Sequence, residues 1–399
     1  MLKLITLLLT SMMTVMAGST IAPALPQIGQ FFQTAPRAEL LVKLMLTLPG
    51  LFTAIAGPFA GIIIDRFGRK KLLAATVILY GLAGSSGFVL NSLTGLLIGR
   101  ALLGISVAGI TTASITLIAD YYHGEKRQEV MGIQAAAMGF GGVVFLILGG
   151  FLADISWRFP FLIYSSAFAV FPLVIFVLTE PNRVKVSADK IRERVGVKVS
   201  EIGESLASDR HPKNLILFIY AVMFVTAVAF FMVPVQLPFY LTKNFAVNNS
   251  QTGIAIATCT FTSAIVSMNY GSIKKKLSFM GIIVLLYSLM GFGFEIIFLA
   301  TNYFIVILGL IFLGMGLGLL IPNLNVWLNA ITPVAIRGKV LGGLTTFTFL
   351  GQFISPLVSQ PIAAQIGIGT TYGVVGVAML ILAVIFGGVS LTGRYSLKA

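Results

Sequence analysis

"GIIIDRFGRKK", residues 61–71, sets five charged side chains (Asp65, Arg66, Arg69, Lys70 and Lys71) between two long apolar runs. Charged residues make up 10% of the 399-residue chain and hydrophobic ones 57%. A soluble protein carries roughly 25% charged residues. Apolar runs of about twenty residues, repeated along a chain this poor in charge, predict a polytopic membrane protein. In lipid each span must satisfy its own backbone hydrogen bonds, and runs this long and apolar do so as helices rather than barrel strands. The 42 glycines and 15 prolines agree, because both are commoner in packed transmembrane helices than in soluble ones.

Outward from residues 61–71, the apolar runs place spans at 4–26, 40–64, 72–90, 94–118, 130–152, 158–179, 214–241, 250–272, 278–299, 303–328, 341–363 and 370–392. The expected fold is all-α, with twelve transmembrane helices. With the N-terminus inside, the 27 lysines and arginines all fall in inside segments except Arg37, Lys43, Arg100, Arg158 and Lys243. That bias sets both termini on the cytoplasmic side. The net charge of +14 therefore records topology, and no nucleic-acid partner is expected. Cys259 falls in the eighth span, so no disulfide framework is available. His123 and His211 lie in inside loops, away from any intramembrane proton relay or metal site, and neither metal nor cofactor is expected. Residues 1–20, "MLKLITLLLTSMMTVMAGST", could pass for a signal peptide. An internal repeat argues that they are retained as the first helix.

Residues 180–213 form the one long polar segment and divide the chain into an N-terminal half, 1–179, and a C-terminal half, 214–399. The segment reads as a cytoplasmic linker, part of it a short amphipathic helix on the membrane surface. Gly61 and Gly271, Gly104 and Gly314, Gly132 and Gly342, and Gly141 and Gly351 are each 210 residues apart. Leu25-Pro26 and Leu237-Pro238 recur at a shift of 212. Two pseudo-symmetric six-helix halves with a site between them near the midplane are a transporter plan.

On these residues the chain resembles the major facilitator superfamily over essentially its whole length. The opening stretch fits that family's G-x-x-x-D-R-x-G-R-R/K signature at Gly61, Asp65, Arg66, Gly68, Arg69 and Lys70. Twelve spans, "LLIGRALLGISVAGI" with Arg100 and Gly104 in place, "SWRFPFLIY" and "TEPNR" look most like the bacterial drug–proton antiporters. The resemblance implies a monomeric secondary transporter of the bacterial inner membrane, lying in lipid and moving a small organic substrate, with protons as the coupling ion. It also implies a conformational latch. Gly61 would let the second helix approach the eleventh, and Asp65 would meet the unpaired N–H groups at the start of the eleventh, near Lys339 and Val340. A carboxylate at a helix N-terminus is worth roughly 0.3–1 kcal/mol, more when partly buried. Arg69 would pair with Asp120, closing the cytoplasmic side in the outward-open state. Two departures qualify the match. Lys275 stands where the second half would repeat Asp65, and Phe145-Leu146 replace the Gly-Pro of the antiporters' fifth-helix signature while Gly132, Gly141, Gly149 and Gly150 remain.

Ionisable groups inside a membrane cost about 2.5–3.5 kcal/mol each on insertion scales, so each one is a functional hypothesis. Arg100 could face the cavity and recognise an anionic group, or clamp neighbouring helices through backbone carbonyls. Lys43 follows Glu39 by four residues and reads as a surface pair at the outer end. Asp154 is expected to pair with Arg158. The first span holds no acid, so Asp65, Glu295 and Asp154 are the carboxylates available to carry a proton; in the family the ninth helix is peripheral, which favours a structural role for Glu295. Neutral polar and aromatic groups, Gln134, Phe231, Gln236, Tyr240, Asn323 and Gln352, are the candidate lining of an apolar cavity suited to amphipathic molecules. Pro234 and Pro238 would bend the seventh helix beside Gln236. Proton-coupled efflux is the leading function. The alternatives are export of a specific metabolite or siderophore, uptake by symport, and a receptor or scaffold on the same fold. An embedded enzyme would need clustered His, Asp or Glu, and a P-loop lysine motif is absent.

Overall fold

A backbone that leaves water must bond to itself, and the described residues do so in twelve long helices. The computed structural model describes residues 1–181, 211–333 and 336–391, the side chains at 211 and 212 excepted. The helices are α1 (Leu2–Phe31), α2 (Ala38–Phe67), α3 (Arg69–Phe88), α4 (Leu93–Tyr121), α5 (Gly124–Ile155), α6 (Phe159–Val177), α7 (Lys213–Phe245), α8 (Asn249–Met268), α9 (Phe279–Phe298), α10 (Tyr303–Ile331), α11 (Arg337–Ile366) and α12 (Ile368–Leu391). Each matches one expected span, and most run a few residues past the apolar window because their polar ends continue the helix. The eighth is shorter than expected. It stops at Asn269, and Tyr270–Lys274 form a separate short helix. The expected linker helix, and the tail with Arg394 and Lys398, lie outside the described residues.

Local chemistry sets the ends. Ser92, Ser278 and Asn302 each accept a hydrogen bond from a backbone N–H three residues on, and Asn248 forms a full capping box with Gln251. Between α2 and α3 the chain turns at Gly68 with φ +104°, where a Cβ would be strained. In α1 the helix breaks at a 3-10 turn, Ala22–Ala24, ahead of Leu25-Pro26. By contrast α5 runs its 32 residues with no proline, as Phe145-Leu146 led us to expect.

The two halves pack alike. In the first, α2 lies on α4, α3 on α4 and on α6, and α1 on α5; in the second, α8 lies on α10, α9 on α10 and on α12, and α7 on α11. The repeat extends to single contacts. A Cβ at Gly104 would sit 2.3 Å from the carbonyl oxygen of Pro49, and one at Gly314 would sit 2.4 Å from that of Cys259, both residues being 210 further along. Glycine at these crossings lets the backbones touch, the usual way membrane helices associate.

Two seams join the halves, α5 against α8 and α2 against α11, with the broken end of α1 against α7. One face of the bundle holds Met1, the α2–α3 turn and both ends of the polar linker; we call it the basic face and the other the distal face.

Candidate functional site

On the distal face the halves are in contact. Asp154, at the end of α5, accepts the backbone N–H of Asn249 at 2.8 Å and of Ser250 at 3.2 Å. Gln251 N–H goes to the Asn248 side chain. An acid of one half thus completes the N-terminal cap of a helix in the other, where unpaired donors and the helix dipole favour negative charge. The expected Asp154–Arg158 pair does not form. Arg158 instead donates to the carbonyls of Phe88 and Leu90 and to Asn91, and stacks on Trp157. Below Asp154 the helices touch backbone to backbone: a Cβ at Gly150 would meet the Asn249 carbonyl oxygen at 2.6 Å, and one at Gly253 the Leu146 carbonyl oxygen at 2.5 Å. The retained glycines of α5 are what permit this.

The second distal seam corrects another expectation. Lys43 is not at the surface but fully buried. Its ammonium pairs with Glu39 at 3.1 Å, donates to Gln360 of α11 and lies 4.6 Å from the ring centre of Phe239 on α7. Two of those three partners belong to the other half.

Toward the basic face the halves part. Cβ atoms built at Gly61 and Gly132 in the first half, and at Gly271, Gly338 and Gly342 in the second, would meet nothing within 4 Å. Asp65 is exposed and bonds to none of the described residues. The start of α11 has no side-chain cap. No hydrogen bond, ion pair or close Cβ contact therefore joins Gly61 or Asp65 to the described residues of α11 in this conformation. Arg66 lies over the Phe67 ring.

Within the N-terminal half the rest of the motif is engaged. Arg69 Nε lies 3.1 Å from Asp120 Oδ2, an ion pair by distance although its angle is poor for a hydrogen bond. Glu180 accepts the backbone N–H of Arg69 at 2.7 Å and of Lys70 at 2.9 Å. Any side chain at Gly68 would strike that carboxylate, with a Cβ 2.7 Å from its oxygen. Lys3 and Tyr121 both bond to Thr179. Helices α1, α3 and α4 are thereby tied to the residues that follow α6.

Between the faces lies a layer of amides. Gln236 donates to Ser359 at 3.1 Å and to Gln360 at 3.3 Å, while its own carbonyl oxygen is buried without a partner. Gln352 packs across the interface on Gly50, where a Cβ would come within 2.9 Å of it. Phe231, half-buried, packs edge-on to Phe230. Other expected cavity residues are placed elsewhere. Gln134 donates to Ser11 inside the first half, Asn323 bonds to Tyr270 and the Phe279 carbonyl inside the second, and the Tyr240 hydroxyl donates to Ile297. Glu295 abuts Gly376, putting it between α9 and α12. Tyr240 also lines a distal cavity of about 860 Å³ with Glu39, Phe239, Lys243 and Phe298.

Arg100 is 1% exposed and turned into the first half. It donates to the Gly84 carbonyl and the Tyr164 hydroxyl, each at 3.1 Å, and lies over the rings of Phe161 and Tyr164. That is the clamp reading. Replacing Arg100 with Met should cost about 2–3 kcal/mol, since it strands a buried carbonyl and removes two ring contacts. A lowered thermal midpoint in detergent, with substrate affinity of the folded fraction unchanged, is the expected result. A normal midpoint with lost affinity would return Arg100 to the cavity.

Sequence reasoning left Glu180 without a role, placed Lys43 at the surface and did not name Gln360. The "TEPNR" motif contained the first. The i,i+4 spacing of Glu39 and Lys43 concealed the second, because a local partner hides a distant one.

Twelve helices in two like halves, joined at one face and parted at the other around a polar layer, are the architecture of a secondary transporter. The description "Major Facilitator Superfamily" matches residues 7–236 and 219–395, and the chain belongs to that family. It is 25% identical to the Bacillibactin exporter of Bacillus subtilis (strain 168) over 88% of this chain and 86% of that protein. Against Multidrug resistance protein 1 of the same organism it is 28% identical, but over 49% of this chain and 50% of that one. Among solved structures, a D-xylose-proton symporter superposes with a TM-score of 0.79 at 18% identity, covering 96% of each chain. The last likeness bears on the fold alone.

Proposed function

We propose that this protein exports small amphipathic molecules across a bacterial cytoplasmic membrane by alternating access, in exchange for protons. The basic face is cytoplasmic and the conformation is inward-open. The observation that carries this reading is the asymmetry of the interface: Asp154 and Lys43 bridge the halves distally while Gly61 and Asp65 face open space at the other end. Rocking about the amide layer would exchange the two arrangements. Its curated relatives named for multidrug resistance and for an exporter support outward transport, and the length of the match to the Bacillibactin exporter favours, as a second reading, a specific metabolite or siderophore as cargo.

The test is flux in proteoliposomes. Amphipathic compounds should move against their gradient when the opposite compartment is acidified, and a protonophore should abolish the movement. Flux indifferent to the pH gradient would remove proton exchange from the mechanism.

A further inference from the structure

The charges between the halves bear on which molecules the site accepts. Lys43 is fully buried at the α2–α11 seam, and its partners from the second half, Gln360 and the Phe239 ring, are neutral. Its counter-charge is Glu39, whose side chain is 62% exposed toward the distal cavity, so the pair is anchored in water on one side only. The described acids offer nothing else to this layer. Both Asp154 oxygens are taken by α8 N–H groups, Glu295 lies against α12, and Asp65 sits at the basic mouth. Of the other cations, Arg100 is sealed inside the first half, and Lys243 lines the distal cavity beside Glu39. Gln236 donates to the same Gln360 oxygen as Lys43, and its own buried carbonyl oxygen has no donor among the described residues.

We propose that Lys43 and Gln236 select organic anions that also carry a hydroxyl or amide donor. The proposal rests on the reading of this interface as the transport site. In low dielectric the sign of a charge is strongly discriminated. An anion reaching the layer gains the Lys43 ammonium, whereas a cation meets it with only the largely exposed Glu39 carboxylate to offset it. The ligand's O–H or N–H would fill the vacancy at Gln236. Pairing with the ligand draws the ammonium away from Gln360, one of the bonds that pins α2 to α11 distally, so a bound anion loosens the outer gate. The role first considered for Arg100, recognition of an anionic group, falls instead to Lys43.

The experiment is equilibrium binding to the purified protein of four aromatic compounds of one skeleton, a hydroxylated carboxylate, its dehydroxylated analogue, its neutral amide and its amine cation. Distance between spin labels at Gln33 and Thr301, in a Cys259→Ser background, reports the distal gate. The carboxylate should bind at least tenfold tighter than the cation and lengthen the Gln33–Thr301 distance. Lys43→Met should erase the preference, and Glu39→Gln, which frees the ammonium, should strengthen it. Gln236→Leu should weaken the hydroxylated carboxylate more than its dehydroxylated analogue. Equal or tighter binding of the cation, or a preference that survives Lys43→Met, would overturn the proposal. None of these readouts needs flux or a pH gradient, so the export reading can fail while this one stands, and the reverse.

Discussion

Asp65→Asn is expected to leave folding intact and reduce transport about five- to thirtyfold. In the present conformation Asp65 bonds to none of the described residues, so this state neither gains nor loses by the change. The state with the basic face shut should lose a carboxylate from the uncapped start of α11. Such a contact, charge-assisted and partly buried, is worth about 1–2 kcal/mol, or a five- to thirtyfold change in the ratio of the two states. Thermal unfolding in detergent should match the wild type, while labels on the basic ends of α2 and α11 should report a population moved toward the open mouth. Undiminished flux from the variant would defeat the latch.

Asp154→Ala should push the same equilibrium the other way. Here the contact is formed: two backbone N–H groups of α8 at 2.8 and 3.2 Å lose their acceptor. Hydrogen bonds to a charged acceptor contribute about 1.5–3 kcal/mol each, so a net loss of about 2 kcal/mol is a modest expectation, roughly thirtyfold toward distal opening. Asp154→Asn keeps one acceptor and should fall between. The combination Asp65→Asn with Asp154→Ala should restore a near-wild-type balance, because each weakens a different closed face. Distances across the α5–α8 seam give the readout. If Asp154→Ala leaves the distal face closed, the seam is held by the glycine contacts at Gly150 and Gly253 instead.

Both predictions concern one device seen from two ends. At the distal face an acid at the C-terminal end of α5 caps the N-terminus of α8; the signature's resemblance implies the same of Asp65, on α2, toward α11. In this conformation the first is made and the second is not. The spacing of the signature names Asp65 directly. Nothing in the sequence marks Asp154 in the same way, and its neighbour Arg158 offers a nearer partner that the fold does not use.

How much of this is legible in residues alone follows from the range of each force. Hydropathy and the positive-inside bias act residue by residue against the solvent, so twelve helices and the loops that hold them could be read directly. The glycine repeat could be read because backbone contact at a crossing admits no side chain, and Gly104 and Gly314 meet carbonyls in the same way. Polar residues in apolar spans were visible too, but not their partners. Gln134, Asn323, Gln236 and Arg100 proved to stitch helices within a half, Gln352 to lie between halves, and Lys43 to leave the surface for the seam.

The sequence by itself therefore determined the membrane spans, the glycine repeat and the motif at residues 61–71, each the product of local chemistry. Tertiary structure alone decided which buried polar groups face one another across the two halves, and which face of the molecule is shut. A side chain's hydrogen-bonding capacity is written in the chain. Its choice among several partners of similar strength depends on how whole helices pack.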